Sequence, residues 1–323
     1  MKRPQRRPQQ RQRGALSLTA ALLSVALLST VVLLSMLVLP TVTAAGDRAL
    51  RLIHSERSLY RQVLVYEDAD SRCLCFTRLC TIGRQSCLDL HQPARLVFEY
   101  TQMMLGALYL APQPRSILII GLGGGTLPHT LEQLLPQADI DVVEIDPAVV
   151  RVAQQYFGFH PDARVHVIVQ DGRAYVRHML RGNKHYQLIM LDAYERQYIP
   201  EHMLTREFLQ EVRSLLSPGG IVAANTFSSS RLYQNESVTY RSVFGAFYNL
   251  KSSNRVILAS NGPLPSIQEA TRNSRNLSAA FQPFGFSSED VLARFSTQVD
   301  WDPYARVLTD QYSPANLLNG RDP

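Results

Sequence analysis

The sequence predicts an α/β fold built around a doubly wound parallel sheet, with the strands and helices alternating along the chain. From Ser116 onward, short apolar runs alternate with segments of helical spacing, which is the pattern of such sheets. A glycine-rich turn, Gly121–Gly125, directly follows the first apolar run. The chain has 323 residues, of which 46% are hydrophobic, so it can bury a sizeable core.

Short apolar runs give the strands. The predicted strands are Ile117–Ile120, Ile140–Glu144, His166–Val169, Tyr186–Leu191 and Ile221–Asn225, with further strands at Arg255–Ser260 and Arg306–Asp310. Helices are predicted at Pro147–Phe157 and Thr205–Leu216, the second ending at a Pro-Gly-Gly stop signal. An aromatic cluster at helical spacing, Phe244, Phe247 and Tyr248, is expected in the core.

A β-rich region precedes these elements. Arg61–Asp68 and Arg72–Arg78 alternate between apolar and polar residues as strands do, whereas Leu96–Leu110 has helical spacing. We therefore expect a small N-terminal β-domain over residues 46–114 and a larger α/β domain over residues 115–323.

The N-terminus predicts a membrane segment. A basic tail, residues 1–14, precedes the uncharged segment 15–39, which is long enough to span a bilayer as a helix. The small residues Val42–Ala44 leave a cleaved signal open. The basic flank predicts a cytoplasmic N-terminus, with the main domain outside the cytoplasm. Without the six basic residues of the tail, the chain has 27 basic and 27 acidic residues, which argues against nucleic-acid binding.

Four cysteines, Cys73, Cys75, Cys80 and Cys87, fall in one short stretch. Their spacing matches no standard zinc pattern, and no metal site is predicted. An even number suits two disulfides in an oxidising compartment, although free buried thiols or a metal site of unusual spacing stay alternatives. Because Cys73 and Cys75 share a strand face, Cys87 on the next strand can lie opposite them.

Acidic residues end three of the predicted strands. Glu144, Asp171 and Asp192 each follow an apolar run, and Gly121 and Gly123 turn the chain after the first strand. Parallel sheets of this type bind ligands at the carboxyl ends of their strands. A carboxylate can hold a ribose diol, and a second can accept from an adenine amino group. The simpler alternative is that Asp171 and Asp192 only cap helices. We expect an adenosine-containing sulfonium ligand.

The stretch from ILIIGLGGGTLPHTL through DIDVVEIDP, VIVQDGRAYV and YQLIMLDAY to LSPGGIV resembles the spermidine/spermine synthase family. The C-terminal RVLTDQYSPANLL resembles a motif of spermidine-synthase-like proteins, including membrane-bound ones. This resemblance implies a Rossmann-like class I methyltransferase fold behind a small N-terminal β-domain. It also implies aminopropyl transfer from decarboxylated S-adenosylmethionine (AdoMet) to an amine, in polyamine biosynthesis, without a metal.

The resemblance also implies roles for individual residues. Gly121, Gly123 and Glu144 would hold the donor, with Glu144 on its ribose, and Asp171 and Gly172 would hold the adenine. Asp192 falls on the family's proton acceptor. The positions implied for substrate binding are Tyr100, Gln102 and Glu195.

The sequence departs from the family at the amine side of the site. Gly124 and Gln102 replace family acids, and Arg61 replaces a glutamine. Because a polyamine needs carboxylates to offset its desolvation, two other functions stay open. One is an AdoMet-dependent methyltransferase, and the other is a non-catalytic, membrane-anchored protein that binds an adenosine ligand. A homodimer also stays open.

Overall fold

The computed structural model describes residues 50–81, 83–193 and 200–314. Its larger sheet has seven strands in the order β10-β11-β9-β8-β5-β6-β7. The five strands from β7 to β9 run parallel, whereas β11 and β10 are antiparallel. These strands are β5 (Ser116–Ile120), β6 (Asp139–Glu144), β7 (Val165–Val169), β8 (Tyr186–Leu191), β9 (Leu216–Phe227), β10 (Phe247–Lys251) and β11 (Asn254–Ser260).

Helices follow or flank most of these strands. They are α1 (Glu99–Leu105), α2 (Ala107–Leu110), α3 (Thr126–Leu134), α4 (Pro147–Tyr156), α5 (Gly172–Arg181), α6 (Arg206–Leu215), α7 (Tyr233–Phe244), α8 (Ile267–Phe281) and α9 (Ser288–Leu292), with 3-10 turns at Glu201–Met203 and Gln282–Phe284. The start of α4 follows from its sequence, because the Asp146 side chain accepts from the Ala148 N–H and Pro147 opens the helix. Buried apolar clusters cover both faces of the sheet.

A four-stranded antiparallel sheet precedes the larger one. Its strands are β1 (Arg51–Arg57), β2 (Gln62–Glu67), β3 (Ser71–Cys75) and β4 (Arg84–Asp89), in sequence order. Val63, Val65 and Leu74 pack against apolar side chains of α4. The sheet therefore lies beside the helix that follows β6, close to the carboxyl ends of the parallel strands.

Two disulfides join the four cysteines. Cys73 lies opposite Cys87 in the β3–β4 register and is bonded to it, and Cys75 is bonded to Cys80. All four are buried. The pairing agrees with the expectation that Cys87 returns opposite the face of Cys73 and Cys75.

Several predicted elements differ in the structure. The sheet is not wholly parallel, and Phe247 and Tyr248 lie on a strand rather than in helical register. The segment Leu96–Leu110 holds two short helices, with Gly106 between them. The predicted strand Arg306–Asp310 is wrong, since the described part of this segment makes only an isolated bridge between Thr309 and Tyr312.

The predicted membrane segment, residues 15–39, lies outside the described ranges. Among the residues that the structure describes, no helix is both long and apolar enough to cross a bilayer. The domain limits given above stay a prediction.

Candidate active site

A cavity of about 230 Å³ opens at the carboxyl ends of β5, β6 and β8. Glu144 ends β6, Asp192 follows β8, and Asp171 precedes α5. The structure brings these three acids together in one wall of the cavity. Its lining residues are Tyr60, Arg61, Phe76, Gln85, Ile120, Gly121, Leu122, Gly123, Val143, Glu144, Ile145, Gln170, Asp171, Gly172, Asp192, Ala193, Pro200, His202 and Met203.

The glycine turn lets two strand ends approach closely. Gly121 has φ +104°, and a Cβ atom there would lie 2.3 Å from the Asp192 carbonyl oxygen. Any other residue at this position would therefore force β5 and β8 apart. Gly172 is similarly confined, because its Cβ would lie 2.5 Å from Cγ2 of Ile120. Gly121 therefore lets the ends of β5 and β8 approach, and Gly172 lets the start of α5 lie against Ile120.

Glu144 is held by the backbone around it. Its carboxylate accepts hydrogen bonds from the N–H groups of Leu122, at 3.0 Å, and Asp146, at 2.9 Å. Burial raises the pKa of Glu144, while these two bonds and the nearby Arg61 oppose the rise. The Arg61 guanidinium lies 4.4 Å from the centre of the Phe76 ring. Each carboxylate oxygen keeps accepting capacity for a ligand hydroxyl.

Asp171 caps α5 and also contacts a histidine. One carboxylate oxygen accepts from the Ala174 N–H at 2.8 Å, as the helix-cap alternative expects. The other lies 3.0 Å from Nε2 of His202. Capping and ligand binding are compatible here, because Asp171 and His202 both line the cavity.

Asp192 has the most strongly perturbed carboxyl group of the cavity wall. Its carboxylate accepts from Nδ2 of Asn225, at 2.9 Å, and from the Tyr100 hydroxyl, at 3.4 Å. Burial and, to a smaller extent, the charge of Glu144 raise the pKa of Asp192, whereas the two hydrogen bonds lower it. The resulting pKa is about 7. A carboxyl group with a pKa near neutrality can take up a proton and release it again.

The remaining predicted positions differ in their placement. Tyr100 contacts Asp192, but the Gln102 amide donates to the carbonyl of Leu96 and does not line the described cavity. Glu195 lies outside the described residues. Within the described ranges, no group of three or more His, Cys, Asp and Glu side chains is placed to hold a metal ion.

Sequence reasoning did not anticipate several cavity residues. Phe76 directly follows β3, Gln85 lies on β4, and His202 lies in the 3-10 turn before α6. No pattern in the sequence singles these out. Asn225 does not line the cavity but donates to Asp192. It could have been found, because it ends a predicted apolar strand.

Comparison with known proteins agrees with this architecture. Residues 97–252 match the spermine/spermidine synthase domain model. The chain is 46% identical to a polyamine aminopropyltransferase of Vibrio vulnificus over 83% of its own length and 91% of that protein. It is 33% identical to a human eEF1A lysine and N-terminal methyltransferase, over 40% of this chain and 21% of that protein.

Solved structures share the fold. A probable spermidine synthase of Corynebacterium glutamicum superposes with a TM-score of 0.58, at 20% identity, over 78% of this chain and 97% of that one. Human methyltransferase-like protein 13 gives 0.50, at 26% identity, over 64% of this chain and 96% of that one.

The strand order, with a cavity at the carboxyl ends of the parallel strands, defines a Rossmann-like protein of the methyltransferase type. Within that class, the chain belongs to the spermine/spermidine synthase family, the polyamine aminopropyltransferases.

Proposed function

We propose that the protein transfers an aminopropyl group from decarboxylated AdoMet to an amine. The observation that carries this proposal is the Asp192 carboxylate at the cavity wall, held by Tyr100 and Asn225 and with a pKa of about 7. Family membership and the close relative in Vibrio vulnificus support it.

The donor occupies the cavity between the strand ends. Glu144 accepts hydrogen bonds from the ribose hydroxyls, and Asp171 accepts from the adenine amino group, beside the backbone of Gly172. Gly121 and Gly123, which line the cavity, lie beside the donor. The acids suit this donor, because the sulfonium and amine of decarboxylated AdoMet are both positively charged.

The chemistry is a single displacement. The neutral acceptor amine attacks the aminopropyl carbon bonded to sulfur, so that a C–N bond forms and the C–S bond breaks. The sulfur keeps that electron pair and leaves as methylthioadenosine. Asp192 takes the proton that the amine loses, which requires the carboxylate form. Tyr100 stays in contact with Asp192, and substrate-binding roles for Glu195 and Gln102 stay predictions.

The test is the substitution Asp192→Asn in the full chain, with a panel of diamines as acceptors. The amide keeps the shape of the carboxylate but cannot accept the proton, so turnover should fall about 10²–10⁴-fold. Binding of methylthioadenosine should persist. The matched control is Asp139→Asn, at the opposite end of β6 on the protein surface. Full turnover by the Asp192 variant would refute its role as base.

A methyltransferase is the second candidate, and Arg61 favours it. AdoMet carries a carboxylate that decarboxylated AdoMet lacks, and a guanidinium at the cavity wall suits a carboxylate. Gly124 and Gln102, which stand where the family has acids, point the same way. The test is calorimetry with both donors on the wild type and on Arg61→Gln. A loss of affinity confined to AdoMet would favour the methyltransferase.

We also propose that the segment 15–39 anchors the protein in a membrane, with the main domain outside the cytoplasm. The basic tail and the two disulfides support this orientation. Thiol labelling of intact cells, with and without reductant, tests it together with a C-terminal reporter. Four freely labelled thiols and a cytoplasmic C-terminus would refute it. A homodimer is a separate prediction for sedimentation analysis.

A further inference from the structure

Two asparagine side chains form a chain of hydrogen bonds that ends on Asp192. Nδ2 of Asn254 donates to Oδ1 of Asn225 at 2.9 Å, and Nδ2 of Asn225 donates to Oδ1 of Asp192 at 2.9 Å. Asn225 is buried on β9, and Asn254 begins the neighbouring strand β11. Neither asparagine is among the described residues that line the cavity.

The two hydrogen bonds have a fixed direction because an amide has a donor end and an acceptor end. The donor of Asn254 meets the oxygen of Asn225, so the NH₂ group of Asn225 faces Asp192. Turning the Asn225 amide over would set its oxygen against the carboxylate and its NH₂ group against that of Asn254. Both contacts would then be repulsive.

The position of Asn254 is itself set by the backbone. Its carbonyl accepts from the Ser252 N–H and from the Ser228 hydroxyl, each at 2.8 Å. Ser252 lies just before β11, and Ser228 lies just after β9, where Asn254 pairs with Phe227. The Asn254 amide is therefore presented to Asn225 from a constrained backbone.

We propose that Asn254 is a positioning residue for the transfer reaction. It acts through Asn225, keeping a hydrogen-bond donor directed at the Asp192 carboxylate. The catalytic part of this inference rests on the proposed function, whereas the effect on the ionisation of Asp192 does not.

Several charged or titratable groups surround Asp192. Tyr100, on α1, donates a hydrogen bond to it, and the charge of Glu144, at the end of β6, raises its pKa. Tyr60, Arg61, Asp171 and His202 line the same cavity. Asn254→Ala leaves all of these groups in place and adds no charge, so a change in the ionisation of Asp192 in that variant would be due to the hydrogen bonds through Asn225.

The larger effect is expected in Asn254→Asp. A carboxylate at this position only accepts hydrogen bonds, so it competes with Asp192 for the NH₂ group of Asn225, and its charge also acts on Asp192 directly. The pKa of Asp192 then rises, and the ascending limb of the kcat–pH profile moves up by about one unit. For a shift from about 7 to about 8, kcat falls roughly fivefold at pH 7 and hardly at pH 9. The donor KM stays unchanged, because Glu144 and Asp171 are intact.

Asn254→Ala is the second variant, and it should give a smaller shift in the same direction, because it frees the Asn225 amide without adding a charge. Asn276→Asp, at an exposed position on α8, adds the same charge as a matched control. Thermal unfolding of each variant checks that it folds.

The experiment has two readouts on the full chain. One is the kcat–pH profile, and the other is the pKa of Asp192 from NMR of ¹³C-labelled aspartate carboxyl groups, assigned with Asp192→Asn. Raised pKa values in both Asn254 variants, with none in the control, support the inference. If the wild type lacks transferase activity but the NMR shift is present, the positioning inference stands and the proposed function fails. An unchanged Asp192 pKa in folded Asn254→Ala overturns the inference, whatever happens to kcat, because a rise confined to Asn254→Asp would be due to the added charge.

Discussion

A methyl group added at Gly124 should destabilise the protein, because the space beside this glycine is already filled. A Cβ atom there would lie 2.7 Å from Oγ of Ser86 and 3.1 Å from Cδ1 of Phe157. Both neighbours are buried, and Ser86 is also held by a hydrogen bond to Thr126. Overpacking of a buried site costs about 1–3 kcal/mol. At about 2–4 °C per kcal/mol for a domain of 150–250 residues, the Tm of Gly124→Ala should fall by about 2–12 °C.

Differential scanning calorimetry of four variants, including Ser86→Ala alone, tests this reasoning. Gly182→Ala is the control, since its nearest neighbour would lie 3.6 Å away, an ordinary contact. Adding Ser86→Ala to Gly124→Ala removes one of the two close contacts, so the double variant should lose less stability than the sum of its single variants. A Tm within about 1 °C of the wild type for Gly124→Ala would refute the argument, since the expected fall is at least about 2 °C. An acid at this position, which the family resemblance implies, would meet the same two side chains, Ser86 and Phe157.

Three further predictions concern the ligand, the base and the disulfides. Glu144→Ala should weaken binding of methylthioadenosine by about 1–3 kcal/mol, the range for hydrogen bonds to charged groups; equal affinities in calorimetry would contradict the ribose assignment. Because the pKa of Asp192 is about 7, the base is protonated below that pH, so kcat should rise roughly tenfold from pH 6 to pH 8. A flat profile over that range would instead indicate an ordinary carboxylate. Replacing Cys73 and Cys87 together by Ala opens a loop of about 15 residues and should lower the free energy of unfolding by about 3 kcal/mol, and an unchanged denaturation midpoint under oxidising conditions would contradict this.

The sequence was most informative for residues that directly follow a strand, because their position depends only on where that strand ends. Glu144 and Asp192 could be predicted as neighbours because the carboxyl ends of parallel strands meet at one edge of the sheet. The glycine turn could be predicted because the glycines directly follow an apolar run and glycine permits a tight turn. These features depend on the period of the apolar pattern and on the residues directly after each apolar run.

The sequence was least informative where a second element decides the outcome. Phe76 and Gln85 reach the cavity only because the small sheet packs against α4, and no local pattern encodes that packing. The segment near Asp310 looks like a strand, but the Asp310 carboxylate binds Thr205 and the buried Arg173. Side-chain contacts to the larger sheet's helices, rather than strand pairing, hold this segment in place.

The identity of the donor tests the central claim most directly. The purified full chain is incubated with a diamine and either decarboxylated AdoMet or AdoMet, and the products are identified by mass spectrometry. An aminopropyltransferase releases methylthioadenosine and forms an aminopropylated amine from decarboxylated AdoMet alone, and this is the result we predict. A methylated product with S-adenosylhomocysteine from AdoMet, and no aminopropyl product, would contradict it.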